Sequence, residues 1–319
     1  MADIIVEQQT TNPKRVSLVR RLGRSVALLR ESPIGMLGAF LVVFWLVMAL
    51  GAPYLPIKPP LAQATNAMLA PMLTEMPDGT MYWLGGDDRG RDILSRLIWG
   101  SRLVLFWAGL ATIVAYSVGM MLGVTAGYRG GWWDEVISFA GNVLLSFPLM
   151  VLYLVILSRF GPSSELGGYL RDHLGLSPTV VSGVIIIVAV TFGTAPQVAR
   201  IVRGLVLDLK TRDYIAAAEV RGERPLYIML VELLPNARGP LIVDACLRLG
   251  YVTITIALLG YLALGLPPPE PDWGKMISDA QKWGSTGMNA MLWPAFAISS
   301  LVLGLNLLAD GLREISLRD

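Results

Sequence analysis

The chain has 319 residues, of which 54% are hydrophobic and only 16% charged, with a mean hydropathy of +0.57, which is too apolar and charge-poor for a soluble globule of this length and places it in a bilayer. A single cysteine, Cys246, excludes an intrachain disulfide and reads as a packing residue near a helix start. The net charge of +2 sorts by membrane side rather than into a patch, so it gives no reason to expect nucleic acid.

Six charge-free runs are long enough to cross a membrane: 32–57, 103–128, 136–158, 174–199, 249–269 and 283–309. Each exceeds the ~20 residues that a spanning helix needs at about 1.5 Å rise per residue. Some thirty polar residues precede the first run, which is itself too long for a signal core, so it reads as a first spanning helix. With the N-terminus inside, the inner segments hold sixteen Lys and Arg and the outer segments nine. Five of the outer cations, Lys58, Arg89, Arg91, Arg96 and Arg102, fall in one long external segment. The short loops and the first helix favour both termini on the cytoplasmic side.

In chain order, residues 1–31 form a basic cytoplasmic segment, suited over 14–30 to an amphipathic helix on anionic lipid and over its first dozen residues equally to a disordered tail. The membrane domain then covers 32–319. After the first span and a proline-rich stretch, 52–80, the external segment 58–102 carries Asp87, Asp88, Arg91, Asp92 and Arg96. It reads as a cap whose charges pair with one another. Asp92 and Arg96 are spaced i, i+4, and Asp88 and Asp92 stand near the start of a helix expected over 92–99, where acidic groups are favoured. A calcium loop is the sharper alternative, although the spacing lacks alternating ligands and a closing Glu.

The second span places Gly119, Gly123 and Gly127 on one helix face, a seam for close approach of another helix, in this chain or in a second subunit. Trp132 and Trp133 suit the membrane interface, and Pro148 should kink the third span and free carbonyls toward a cavity. The loop over 159–178 holds the only histidine, His173, with no neighbours at ligand spacing, so no metal site is expected. The fourth span is expected to end at Pro196 and to feed Arg200, Arg203 and Lys210 into a polar interruption, 199–238. Within it, 213–236 reads as helix, tight turn, helix. Ala216, Ala217 and Ala218 favour helix, Gly222 stops it on a left-handed residue, and Pro225 opens a second helix that should stop before Pro235. Beyond it, Asp244 and Arg248 lie one turn apart in the fifth span, either as a local pair or as part of a hydrated vestibule. The prolines after that span stiffen a re-entrant or external hairpin, with Trp273 as an anchor at the headgroups.

Three of these stretches resemble one family. Ala217, Ala218, Gly222, Leu234 and Pro235 fall on the EAA loop of ABC-importer permeases, with Ala216 where the family usually has Glu. Leu84, Gly85, Asp87, Asp88, Gly90, Arg91, Asp92, Ser95, Arg96, Gly100 and Arg102 match the LGTDDxGRDxxSRxxxGxR signature of the dipeptide, oligopeptide and nickel branch, second permease of the pair, with Gly86 for Thr. Leu264, Gly265, Pro267, Pro268, Pro271, Trp273, Gly274 and Met276 match its LSFLGLGxxPPxPxWGxMxxxA signature. Asn142 stands where the family usually carries Asp, so no proton relay is assigned there.

The resemblance implies an all-α, type I importer fold with six spans in the bacterial inner membrane. It also implies that 213–236 is the coupling helix docking on a separate ATPase subunit, through Asp213, Tyr214, Ala216, Ala217, Ala218, Arg221, Gly222, Pro225, Leu234 and Pro235. The external residues would contact the substrate-binding protein or the second permease. Two ATPase subunits would bind the ATP and Mg, with no cofactor on this chain. Peptides, or related solutes such as nickel chelates or opines, would be the cargo.

The residues themselves agree on mechanism. There is no GxxxxGK[ST] to cradle phosphates, no Ser, His and acidic set, and no HExxH, so an enzyme is not expected and ATP must be hydrolysed elsewhere. The alternative from another class is a stand-alone secondary transporter, but the two halves show no repeat beyond hydropathy.

Overall fold

The computed structural model describes residues 32–162 and 164–316; the helix expected over 14–30 and the segment 1–31 lie outside them. Helix α1 is Pro33–Gly51, opened by Ser32, whose hydroxyl accepts from Gly35 N. A short antiparallel hairpin, β1 Thr74–Glu75 and β2 Met81–Tyr82, precedes α2, Ile93–Arg129. Then come α3 Gly131–Ser146, α4 Leu149–Phe160, α5 Glu165–Leu174 and α6 Pro178–Leu209. A compact unit follows, with α7 Asp213–Val220, α8 Pro225–Tyr227, a wide π-turn Ile228–Leu233, and α9 Leu234–Asn236. The chain closes with α10 Arg238–Tyr261, α11 Trp273–Gln281 and α12 Met288–Ser316.

Among the described residues, α1, α2, α6, α10 and α12 are long and apolar enough to cross a bilayer, and α3 with α4 makes a sixth when that bent pair is counted as one span. The pair turns by 89°, at Phe147 and Pro148, which is the kink expected there. Three expected boundaries need correction. The helix predicted over 92–99 and the span over 103–128 are one helix of 37 residues. The fourth span does not end at Pro196, which is buried inside α6. The fifth begins at Arg238 and stops at Tyr261, leaving 262–272 as loop. Charge-free runs mark the apolar stretch, whereas helical hydrogen bonding continues past it wherever the next residues can still bond.

Helices α2 and α6 run parallel, because Gly119 faces Ala195 and Val198, Gly123 faces Ala199 and Val202, and Gly127 faces Arg203 and Val206. A Cβ at Gly123 would sit 2.5 Å from the Ala199 carbonyl oxygen. The glycine stripe is therefore a seam within the chain. A second seam joins α1 and α12 antiparallel, Gly38 against Gly304 and Leu308, and Gly35 against Gly311. These directions define two ends. Lys210 Nζ donates to Gly127 O at 3.1 Å at one end, which also holds the unit 213–236 and the start of α1. At the other, Asn289 donates to Leu84 O at 2.7 Å and Thr179 to Glu270 at 3.2 Å. Since α2 and α6 are parallel, the bent pair carries the chain back between those ends.

Trp273 does not reach a membrane interface. It is fully buried, donates from Nε1 to Leu97 O at 3.1 Å and meets Trp45 edge-on at 4.9 Å. Burying the whole indole with its one donor satisfied is worth more than an interfacial position. Helix α5 occupies the stretch expected as a loop, and His173 stacks on Tyr169 there at 4.2 Å.

Before Trp273, the buried carboxylate of Asp272 caps α11, accepting from Lys275 N at 3.1 Å and from Leu266 N at 3.4 Å. Burial outweighs these bonds and pushes this carboxyl up from 3.8 to about 6. The folded pKa lies above the unfolded one, so the folded state binds the proton more tightly. Its contribution is complete below about pH 4 and is lost as pH rises through about 6, a change on the order of 3 kcal/mol. Thermal unfolding in detergent is expected to show a lower midpoint at pH 8 than at pH 5. The gap should shrink in Asp272→Asn, which keeps an N-cap oxygen; an unchanged gap would show that another group carries it.

Candidate functional site

The unit 213–236 is a platform held from beneath. Helix α7 ends in a Schellman motif: Gly222 N donates to Glu219 O at 2.9 Å and Glu223 N to Ala218 O at 3.2 Å, with Gly222 at φ +73° as the sequence predicts. The second helix does not stop before Pro235 but runs through it to Asn236. The π-turn is the reason, because its wider coil keeps Ile228 and Leu233, five residues apart, on one buried face. With Ile215, Ala218 and Met229 these side chains pack against Val124 of α2 and Val198, Val202 and Val206 of α6.

The opposite face is open. Asp213, Ala216, Ala217, Arg221, Gly222, Pro225 and Pro235 are exposed there, beside Val220 at 90% exposure and the exposed Leu226, Tyr227, Leu230 and Val231. Ala217 and Ala218 are thus not equivalent, since Ala218 is buried against its own chain. Leu234 is half-buried, and Tyr214 is half-buried with its hydroxyl lacking a hydrogen-bond partner among the described residues. Arg221 reaches Glu223 at 3.7 Å and Glu232 at 3.5 Å, joining the two helices. Two further links had no signal in sequence spacing. Tyr128 donates to Glu219 at 3.2 Å, and Arg203 of α6 grips Asp134 of α3 through Nε and Nη2. Together they tie the platform and its supporting helix to α2 and to the bent pair.

At the other end, the predicted cap residues do come together, but with different partners. Asp87, not Asp92, is the hub. Its carboxylate accepts from Arg91 Nε at 2.6 Å and from the backbone of Arg89 and Arg91 at 2.9 Å each, and it pairs with Arg96 Nε at 3.4 Å. The expected Asp92–Arg96 pair is absent because Asp92 is consumed as the α2 N-cap, accepting from Leu94 N and Ser95 N. Asp88 stands 3.5 Å from Arg91, and burial together with the Asp87 carboxylate pushes it above the usual carboxylate range.

Between the two ends, Asp244 and Arg248 pair at 3.4 Å. Arg248 also donates to Gln197 Oε1 at 2.5 Å and lines an open cleft of about 500 Å³ between α4, α6 and α10. The two residues are a local pair, and Arg248 alone of them also faces the cleft. Cys246 lies half-buried with Sγ 3.4 Å from Leu305 O, a packing position.

A bundle of apolar helices, five of them long enough to cross a bilayer, with a two-helix platform exposed on its outer face at one end, defines a multi-pass membrane component. Residues 119–319 match the family described as binding-protein-dependent transport system inner membrane component, and the chain belongs to that family. It is 32% identical over 286 residues to the dipeptide transport system permease protein DppC of Alkalihalophilus pseudofirmus, covering 90% of this chain and 86% of that one. The protein of the same name from Escherichia coli is 34% identical over 277 residues, 87% and 86% of the two chains. A glutathione transport system permease protein of Pectobacterium atrosepticum is 34% identical over 242 residues, 76% and 74%.

Proposed function

We propose that this chain is one of two permease subunits of an ATP-binding-cassette importer in the bacterial inner membrane, and that with its partner it forms the path by which peptides pass from an extracytoplasmic binding protein into the cytoplasm. The observation that carries this reading is the platform 213–236, whose apolar side chains Val220, Leu226, Tyr227, Leu230 and Val231 project from a base anchored in the bundle. An isolated domain gains nothing from such exposure, whereas a docking partner does. The partner is an ATPase subunit; two of them hold the ATP and Mg, and this chain is not an enzyme. Both termini and the platform then face the cytoplasm, and the cap 58–102 faces outward to the binding protein or the second permease. The names of the relatives support peptides as the cargo.

Reconstitution tests the whole reading. Vesicles holding this chain, the second permease and two ATPase subunits are expected to take up labelled dipeptide only when loaded binding protein is outside and ATP inside. Uptake by this chain alone, driven by an ion gradient, would overturn it.

A further inference from the structure

The cleft between α4, α6 and α10 is polar where its helices are otherwise apolar. Tyr153, Thr194, Gln197, Arg248, Tyr251 and Thr255 contribute to its wall. Gln197 lies twelve residues before the end of α6 at Leu209, roughly 18 Å at the helical rise, so the cleft stands well inside the bundle. A charge at that depth is costly and is retained where it meets a partner or water.

Arg248 has a carboxylate partner and also lines an open cleft, and the two lie on different sides. Asp244 and Gln197 are its polar partners among the described residues. Asp244 does not line the cleft; Arg248 does. A guanidinium carries five N–H donors in a fixed fork, and these two contacts leave donors without a partner among the described residues on a side chain that lines the cleft. Gln197 is itself held by its Nε2 bond to Gly193 O at 3.0 Å, which fixes the amide so that its oxygen accepts from Arg248. The cleft therefore presents a positioned cation, while the balancing carboxylate sits behind it. A planar donor fork of this kind suits a carboxylate.

The geometry points to this cleft as part of the solute path, with Arg248, positioned by Gln197 and Asp244, receiving the terminal carboxylate of a peptide in transit. This rests on the peptide-importer reading above.

The test uses the assembled importer in phosphatidylcholine vesicles, with Cys246→Ala and Thr255→Cys providing one thiol in the cleft. Thr255 lies two turns along α10 from Arg248, ~10 Å away. Modification rates by an anionic sulfonatoethyl and a cationic trimethylammonium-ethyl methanethiosulfonate are compared, each scaled to a free thiol. The anionic reagent is expected to be favoured. Adding Asp244→Asn with Arg248→Gln, which removes both charges and strands neither, should lower that preference about fivefold. A dipeptide supplied on its binding protein should slow modification during ATP turnover, and its C-terminal amide, supplied the same way, should not. No anion preference, an unreactive thiol, or equal protection by acid and amide would overturn the assignment. So would protection by phosphatidylglycerol in the vesicles without peptide, which would make the anion a lipid headgroup. Dipeptide uptake by the same vesicles separates the two levels. ATP-dependent uptake without the charge effect sinks only the Arg248 assignment, whereas absent uptake in the otherwise unmodified complex sinks the importer reading.

Discussion

Asp87→Ala is expected to destabilise the protein by about 3–5 kcal/mol, enough to deplete the folded chain in the membrane. The size follows from what is left behind rather than from the pair itself. The Asp87 carboxylate faces two arginines whose side chains are 6% and 3% exposed. Without it, Arg91 keeps Asp88 at 3.5 Å, but Arg96 loses its one ion pair among the described residues and keeps a hydrogen bond from Nη1 to the Pro60 carbonyl at 3.3 Å, with Asp88 and Asp279 acting on it only at longer range. A buried guanidinium that has lost its nearest carboxylate carries most of the penalty. The backbone N–H groups of Arg89 and Arg91 also lose their acceptor, which opens the turn that leads into α2. Arg89→Ala is the control in the same loop. Arg89 is half exposed and 4.0 Å from Asp88, so its loss should cost no more than about 1 kcal/mol. Denaturant unfolding of the two purified variants in detergent measures both, and similar values for them would show that the cap is not held by this cluster.

The cap also shows where sequence reading succeeds and where it stops. Local rules located it: the acidic residues before α2, the glycines, and the spacing that made a charged cap the natural reading. They did not identify the hub, because an i, i+4 rule assumes that both residues sit on a helix with free side chains. Asp92 is on the boundary and spends its oxygens on backbone N–H groups, while Arg96 reaches back across the loop to Asp87. The same limit separates the two glycine seams. Gly119, Gly123 and Gly127 recur within one helix and are visible as a stripe. Gly38 and Gly304 meet across most of the chain, and no periodicity joins them. Pro196 and Pro235 both looked like stops, yet a helix in a packed bundle passes each. The turn at Gly222 was legible because its cause is local, a helix end with a residue free to take positive φ. Ala218 was in principle readable from Ile215 by helical spacing, since residues three apart share the face that the bundle buries.

Gly222→Val is expected to leave the spans inserted and paired with the second permease but to lower ATP-driven uptake about tenfold or more. Gly222 sits at φ +73° with open space where a Cβ would stand, so the penalty is conformational and not a clash. An L residue there costs about 1–2 kcal/mol, and a β-branched one more. The cheapest escape is to open the Schellman turn and lose the bonds from Gly222 N to Glu219 O and from Glu223 N to Ala218 O. The helices on either side stay anchored through Ile215, Ile228 and Leu233, which is why the bundle survives. Their exposed faces would no longer share one orientation, and a partner that binds only the native turn sees its affinity fall with the population of that turn. Ala217→Arg should act on the same step by bulk on the exposed face, whereas Ala218→Arg should instead destabilise the unit, because Ala218 is fully buried. Ala216→Glu, exposed and on a helix, should be tolerated. Uptake and ATP hydrolysis measured in the same vesicles decide the matter. Normal binding-protein-stimulated hydrolysis and normal uptake in Gly222→Val would remove the coupling role from this turn.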